Sequence, residues 1–318
     1  MKRRDILLSS LAAAWAGGAF AQIGNAPVRI LVGAPAGGST DTLARSLAVS
    51  MGPALGRTVI VENRPGAGGN IAADAVAKAA PDGNTLLMSF TSHAINATLY
   101  PTLPFDPVKD FTALTCVATS PSILVAHPSV PAKDVRELIA LAKAKPGQLN
   151  FAIGAVGSSL HMAGEAFKMQ SGVDIVNIPY KGTSPAVQDV LAGQVQLMFA
   201  AVGNVKAHIQ AGKLKALGVT TAKRLPAFPS VPAIAEALPG YESSAWFGLF
   251  GPAHMPAERV RQIGDAARNA LQQADMRQRL ETEGAIPVGN STEQFSVFVQ
   301  SEITRWAQVV KFSGAKPE

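Results

Sequence analysis

The chain has 318 residues, 47% of them hydrophobic and only 6% aromatic, with 28 Lys and Arg against 22 Asp and Glu for a net charge of +6. The basic residues are scattered, without runs or interleaved aromatics, which argues against a nucleic-acid groove and suits a protein that collects small anions. The single cysteine, Cys116, excludes an intrachain disulfide.

In chain order, residues 1–21 combine Lys2, Arg3 and Arg4 with an apolar stretch from Ile6 to Phe20 and the small-residue site Ala19-Phe20-Ala21. That pattern predicts a cleavable export signal cut after Ala21, too short for a membrane span. The general and twin-arginine export routes both stay open. No cysteine stands at the junction to carry a lipid, so a free periplasmic protein is expected. The remaining 297 residues are enough for two domains.

Short β-branched runs follow at residues 28–32, 59–61, 85–89, 123–126, 151–153, 175–178, 195–199 and 216–220, alternating with helical patterns. Alternation of this kind predicts βαβ units with mostly parallel sheets. Val135, Leu138, Ile139 and Ala142 recur at helical spacing and stop at Pro146-Gly147, and Ser184-Pro185 reads as an N-cap with proline at the first helical position. A helix follows Pro256, and a last one opens with a capping box from Ser291 to Gln294 and carries Phe295, Val299, Ile303, Trp306 and Val310 on one face.

One internal echo bears on function. Val28 to Arg45 reads strand, glycine loop, then Ser39-Thr40-Asp41 opening a helix; Leu149 to Phe167 reads strand, Gly154-Ala155-Val156-Gly157, then Ser158-Ser159 opening a helix. The first turn of a helix has N–H groups without intrahelical partners and a partial positive charge, which attracts anions. Gly37 to Asp41, Gly157 to Ser159 and Lys181-Gly182-Thr183-Ser184 are three such places, expected at the carboxyl ends of strands. Any one of them alone also reads as an ordinary cap.

Other chemistries fail on named residues. Gly38 stands where the lysine of a phosphate loop must precede Ser39, and Ile71 replaces the third glycine of a dinucleotide fingerprint after Gly66 and Gly68. No Gly-x-Ser-x-Gly elbow occurs. The five histidines are dispersed; His161 and Glu165 are four apart on one helix face, but no third metal ligand is evident. No catalytic residue, cofactor or metal is expected, and the chain is not read as an enzyme.

The segments Gly37-Gly38-Ser39-Thr40-Asp41, Val61-Glu62-Asn63-Arg64-Pro65-Gly66-Ala67-Gly68-Gly69-Asn70, Ala94-Ile95-Asn96, Gly157-Ser158-Ser159-Leu160-His161, Pro179-Tyr180-Lys181-Gly182 and Trp246-Phe247-Gly248, in this order, resemble the substrate-binding proteins of tripartite tricarboxylate transporters, the Bug family. The resemblance implies an α/β periplasmic-binding-protein fold of Venus-flytrap type, with a discontinuous first domain (22–125 plus 245–318) and a second of 126–244. It implies a carboxylate between the domains, delivered to integral-membrane transporter subunits by a monomeric receptor. A periplasmic sensor that binds the same ligand and docks on a signalling partner is the alternative.

Carried over by position, the resemblance assigns ligand binding to Gly37, Gly38, Ser39, Asp41, Thr91, Ser92 and His93 in the first domain. In the second it assigns Gly157, Ser158, Ser159, His161, Tyr180, Lys181, Gly182 and Ala200. Asp41 reads better as a cap than as a ligand to an anion. Ala34, Ile153 and Ala200 depart from the family pattern, losing a phenylalanine, a small polar residue and an aspartate. These changes point to an acid with an apolar or aromatic body and no ammonium group.

Overall fold

The computed structural model describes residues 26–317, so the predicted signal segment lies outside the described residues. The strands are β1 (Val28–Val32), β2 (Val59–Asn63), β3 (Thr85–Phe90), β4 (Phe111–Ala126), β5 (Asn150–Ile153), β6 (Val176–Pro179), β7 (Leu197–Ala201), β8 (Lys215–Val219), β9 (Ser244–Pro252) and β10 (Ile286–Pro287). The helices are α1 (Ser39–Leu55), α2 (Asn70–Ala77), α3 (Ser92–Leu99), α4 (Val135–Ala144), α5 (Ser159–Ser171), α6 (Thr183–Leu191), α7 (Val202–Gln210), α8 (Ala257–Ala270), α9 (Ala274–Thr282) and α10 (Thr292–Ser313). The predicted strands all form, within two residues at either end except for the run at 123–126, which is the end of a strand that begins at Phe111. α6 starts at Thr183 rather than after Ser184, because Gly182 at φ 112° takes the cap position.

The sheet runs β2-β1-β3-β9-β4-β7-β5-β6, with β8 and β10 pairing β4. The parallel pairs β1–β2, β1–β3, β5–β6 and β5–β7 lie on its flanks. The middle is antiparallel, because the chain crosses it twice in opposite directions. β4 pairs β9 from Phe111↔Pro252 to Pro121↔Ser244, then continues as the partner of β7 and β8 from Ser122 to Ala126. Thr220 ties the two crossings together: its Oγ1 accepts from Ser122 N at 3.0 Å and its carbonyl accepts from Ser243 N at 2.9 Å. Below, the first half means β1–β3, β9, β10 and the start of β4, and the second half means the end of β4 with β5–β8.

Strand alternation sorts the apolar residues onto two faces. Leu31, Leu87, Leu124 and Phe199 point to one face, where a single core reaches across both halves and includes Phe151, Trp246, Phe295 and Trp306. On the opposite face the apolar residues form two separate groups, Ile30, Leu86 and Met88 under α1 and α8 in the first half, and Ile123, Met198 and Ala200 under α6 and α7 in the second. One face therefore holds the halves together, and the other is divided.

α10 seals the continuous face. Ser291 and Gln294 make the predicted capping box, and Phe295, Val299, Trp306 and Val310 are buried. Glu302, also buried, accepts on Oε2 from the indole N–H of both Trp246 and Trp306 at 2.9 Å, while Arg305 pairs with its Oε1 at 3.2 Å. Glu302→Leu strands two buried indole donors and is expected to cost about 3 kcal/mol, with Glu302→Gln losing less because it keeps an acceptor. Urea unfolding followed by far-ultraviolet circular dichroism measures this; equal stability of Glu302→Leu and wild type would contradict it.

Candidate functional site

In the first half three loops leave the carboxyl ends of β1, β2 and β3 and lean on one another. Gly33 lies so close to Gly69 that a Cβ there would sit 2.6 Å from the Gly69 Cα, so only glycine lets these two loops touch. Asn63 Nδ2 donates to the Ala34 carbonyl at 3.1 Å and to Asp41 Oδ1 at 2.9 Å. Asp41 Oδ2 accepts from Gly37 N at 2.9 Å and from Arg45 Nε at 3.0 Å. Burial would push the Asp41 carboxyl up, but the bonds from Arg45, Gly37 and Asn63 outweigh it and hold it below the usual carboxylate range. Asp41 thus shapes the loop from inside, while Gly37, Gly38 and Ser39 stay exposed with the open N-terminus of α1.

The Gly66–Gly69 loop takes four successive positive φ values, 127°, 47°, 63° and 97°. Asn96 on α3 holds it, its Nδ2 donating to Gly68 O at 3.1 Å and Asn70 Oδ1 at 2.8 Å. Thr91 is buried, and its Oγ1 accepts from Trp246 N at 2.9 Å, fixing the start of α3 to β9. His93 turns away from the loops. Its ring stacks on Phe250 at 4.9 Å and meets Phe111 edge-on at 5.0 Å, with Nε2 donating to the Pro107 carbonyl at 2.9 Å.

In the second half, Gly182 N donates to Gly154 O at 2.9 Å and Tyr180 N to Ile153 O at 2.8 Å, joining the loops after β5 and β6. Ser158 caps α5, accepting from His161 N at 3.2 Å and donating to Ala155 O at 2.9 Å. Ser159 is half-buried and Lys181 exposed. The Tyr180 hydroxyl donates to Asp189 Oδ2 at 2.7 Å, and burial together with Asp189 pushes its pKa up to about 12. His161 lies inside, with Nδ1 accepting from Gly157 N at 3.0 Å. Ala200 is fully buried and packs toward α6 and α7, because alternation along β7 turns it from the loops. Ile153 is likewise a core residue and Ala34 packs on the first-half core, where the sequence led us to expect pocket positions.

The two loop clusters meet. Gly157 touches Leu99, to the point that a Cβ would come within 2.4 Å of its Cδ2. Between them lies a cavity of about 390 Å³ walled by Gly68, Phe90, Ser92, Asn96, Leu99 and Tyr100 on one side and by residues 155–158 on the other. Pro317 closes it as well; of the predicted residues, Ser92, Gly157 and Ser158 line it, and among the described residues no Asp, Glu, Lys, Arg or His side chain does. Phe90, Asn96, Tyr100 and Val156 were missed, although Asn96 and the Gly66–Gly69 run stand in the segments that carry the family resemblance. A second cavity, of about 510 Å³, also spans the halves beside Pro121, between Leu225 and Ile286; it holds Arg277 and Glu281 but none of the glycine loops. Among the described residues no three His, Cys, Asp or Glu side chains gather to hold a metal.

The model of the tripartite tricarboxylate transporter family receptor matches residues 43–314. The chain belongs to this receptor family. It is 38% identical to protein BugT of Bordetella pertussis over 91% of this chain and 90% of that protein. Among solved structures, an R. palustris protein with adipate matches at TM-score 0.77 and 36% identity, covering 92% of this chain and 98% of that one. MatC from Rhodopseudomonas palustris with bound malate matches at TM-score 0.74 and 36% identity, covering 89% and 98%. The receptor is thus a periplasmic solute-binding protein of known fold, from a family of receptors rather than enzymes.

The receptor's buried His93 gives a pH test. Burial pushes its imidazole down to about 4 from the ordinary 6.5, against the opposing Pro107 carbonyl. Between these values the unfolded chain binds more protons than the folded one, so stability rises with pH across the window. The contribution is complete above the unfolded value and is lost as pH falls toward 4, on the order of 3 kcal/mol. His93→Phe should flatten the dependence of the urea midpoint on pH between 6.5 and 4. An unchanged slope would contradict the burial of a neutral imidazole.

Proposed function

We propose that this receptor captures a small organic acid with an apolar, flat body and no ammonium group in the cavity between the two loop clusters, and hands it to integral-membrane transporter subunits. The observation that carries this reading is the lining of the cavity. Phe90, Tyr100, Leu99 and Val156 supply apolar walls, Ser92, Asn96 and Ser158 supply the polar groups, and among the described residues no carboxylate lines it to answer a cation. An ammonium group brought there without a partner costs several kcal/mol. A carboxylate, by contrast, is placed by this reading beside the first turn of α5, where the N–H groups of Ser159 and Leu160 follow directly on the cavity wall at Ser158. Relatives with adipate and with malate support the carboxylate class.

Residues 22–125 with 245–318 act as one domain and 126–244 as the other, and β4 and β9 are the hinge between them. The divided apolar face is the one that can open, and the shared core on the other face is the pivot. Closure then buries the acid, and the bound form gains stability by mass action, about 2.7 kcal/mol at a hundredfold excess over Kd.

Thermal-shift screening followed by calorimetry tests the ligand class. Adipate, benzoate-like or phthalate-like acids are expected to raise the melting temperature, and aspartate and glutamate are not. Tight binding of aspartate or glutamate, with no response to the apolar acids, would overturn the proposal.

A further inference from the structure

His161 is buried on α5, one turn inside the loop that touches Leu99, and has no access to the cavity. A neutral imidazole offers one lone pair, and two N–H groups approach it. Gly157 N stands 3.0 Å from Nδ1, and Asn177 Nδ2 stands 3.2 Å from Nε2. The Gly157 N–H belongs to the backbone of a tight loop at φ 73° and cannot be redirected. The Asn177 amide already donates a hydrogen bond to Glu165 Oε1 at 2.6 Å. Glu165, 1% exposed, pairs with Lys168 Nζ at 2.6 Å and lies 3.6 Å from His161 Nε2. Burial would raise the Glu165 carboxyl, but bonds from His161, Asn177 and Lys168 outweigh it and keep it ionised. A carboxylate at that end of the ring favours the proton on Nε2 and leaves the lone pair on Nδ1.

We infer that His161 is a positioning residue: the buried Lys168–Glu165 pair fixes its Nε2–H tautomer, and Nδ1 then holds the Gly157 N–H so that the loop keeps the cavity wall of residues 155–158 in place at the start of α5. The Gly157 N–H, on this account, is spent on His161 and never reaches an anion. The Ser158 hydroxyl takes the His161 N–H at the same time, so His161 and Ser158 lock the helix start from both sides. Ser159 and Leu160, in the first turn, keep N–H groups free of intrahelical partners. The inference rests on the proposed placement of the acid at this loop.

Long-range ¹⁵N–¹H spectra of the wild-type receptor read the tautomer directly, with no variant needed. A bare Nδ1 and a protonated Nε2 are expected; a protonated Nδ1 would overturn the inference. His161→Asn puts an oxygen where Nδ1 was, whereas His161→Gln puts its polar atoms where Nε2 was. The Gly157 amide should therefore exchange slowly in wild type and His161→Asn, and about tenfold faster in His161→Gln. Equal exchange in both variants would also overturn it. With malate, adipate and benzoate as probes, whichever binds wild type should bind His161→Asn within about threefold and His161→Gln about tenfold more weakly or worse. If the tautomer and exchange results hold but affinity is the same in all three proteins, the relay stands and the placement of the acid at this loop is wrong.

Discussion

In the proposed reading, a cavity with no charged side chain among its described lining residues holds an anion with N–H groups and hydroxyls, and that requirement accounts for much of the rest of this receptor. Helix starts are the places where such N–H groups are left over. One helix start is a weak site, so the fold has to bring several together and keep water from competing. It does so by running parallel βα units in each half, with their carboxyl ends pointing to the junction. Glycine makes this possible where chain segments must touch, backbone to backbone at Gly33 against Gly69 and backbone to side chain at Gly157 against Leu99.

The proposed closure requires the same junction to move. On that proposal, the core shared across both halves on one face, with Glu302 bridging Trp246 and Trp306, is the pivot, close to the point where β9 meets β4. Thr220 stitches the two crossings, so in the proposed motion β4 and β9 move as a pair. On the other face the apolar residues fall into two separate groups. The proposal thus assigns stability and opening to opposite sides of one sheet.

Much of the architecture was legible from residue pattern. The strand runs 28–32 to 216–220 and the Ser291–Gln294 box placed β1 to β3, the end of β4, β5 to β8 and α10, since period-two alternation and capping are local properties. The first part of β4, residues 111–121, was not, because Phe111 to Pro121 mixes small, polar and apolar residues that only the β9 pairing organises. Loop positions such as Gly37, Gly38 and Ser158 stand where glycine and cap chemistry put them, at the starts of α1 and α5, and of the three only Ser158 lines the cavity. Side-chain direction could not. His93, His161 and Ala200 sit at plausible positions along the chain, yet each points into a core, and that depends on neighbours such as Phe250, Glu165 and Ile123 that are remote in sequence. Phe90 and Tyr100 were missed for the same reason: an aromatic at the end of a strand or helix reads as core until the opposite wall is known.

The most direct measurement is a crystal structure of the receptor with the acid that stabilises it best. The account predicts one carboxylate against the amides at the start of α5, with the apolar body between Phe90 and Tyr100 and contacts from both halves. An acid seated instead in the larger cavity, paired with Arg277 beside Pro121, would contradict it.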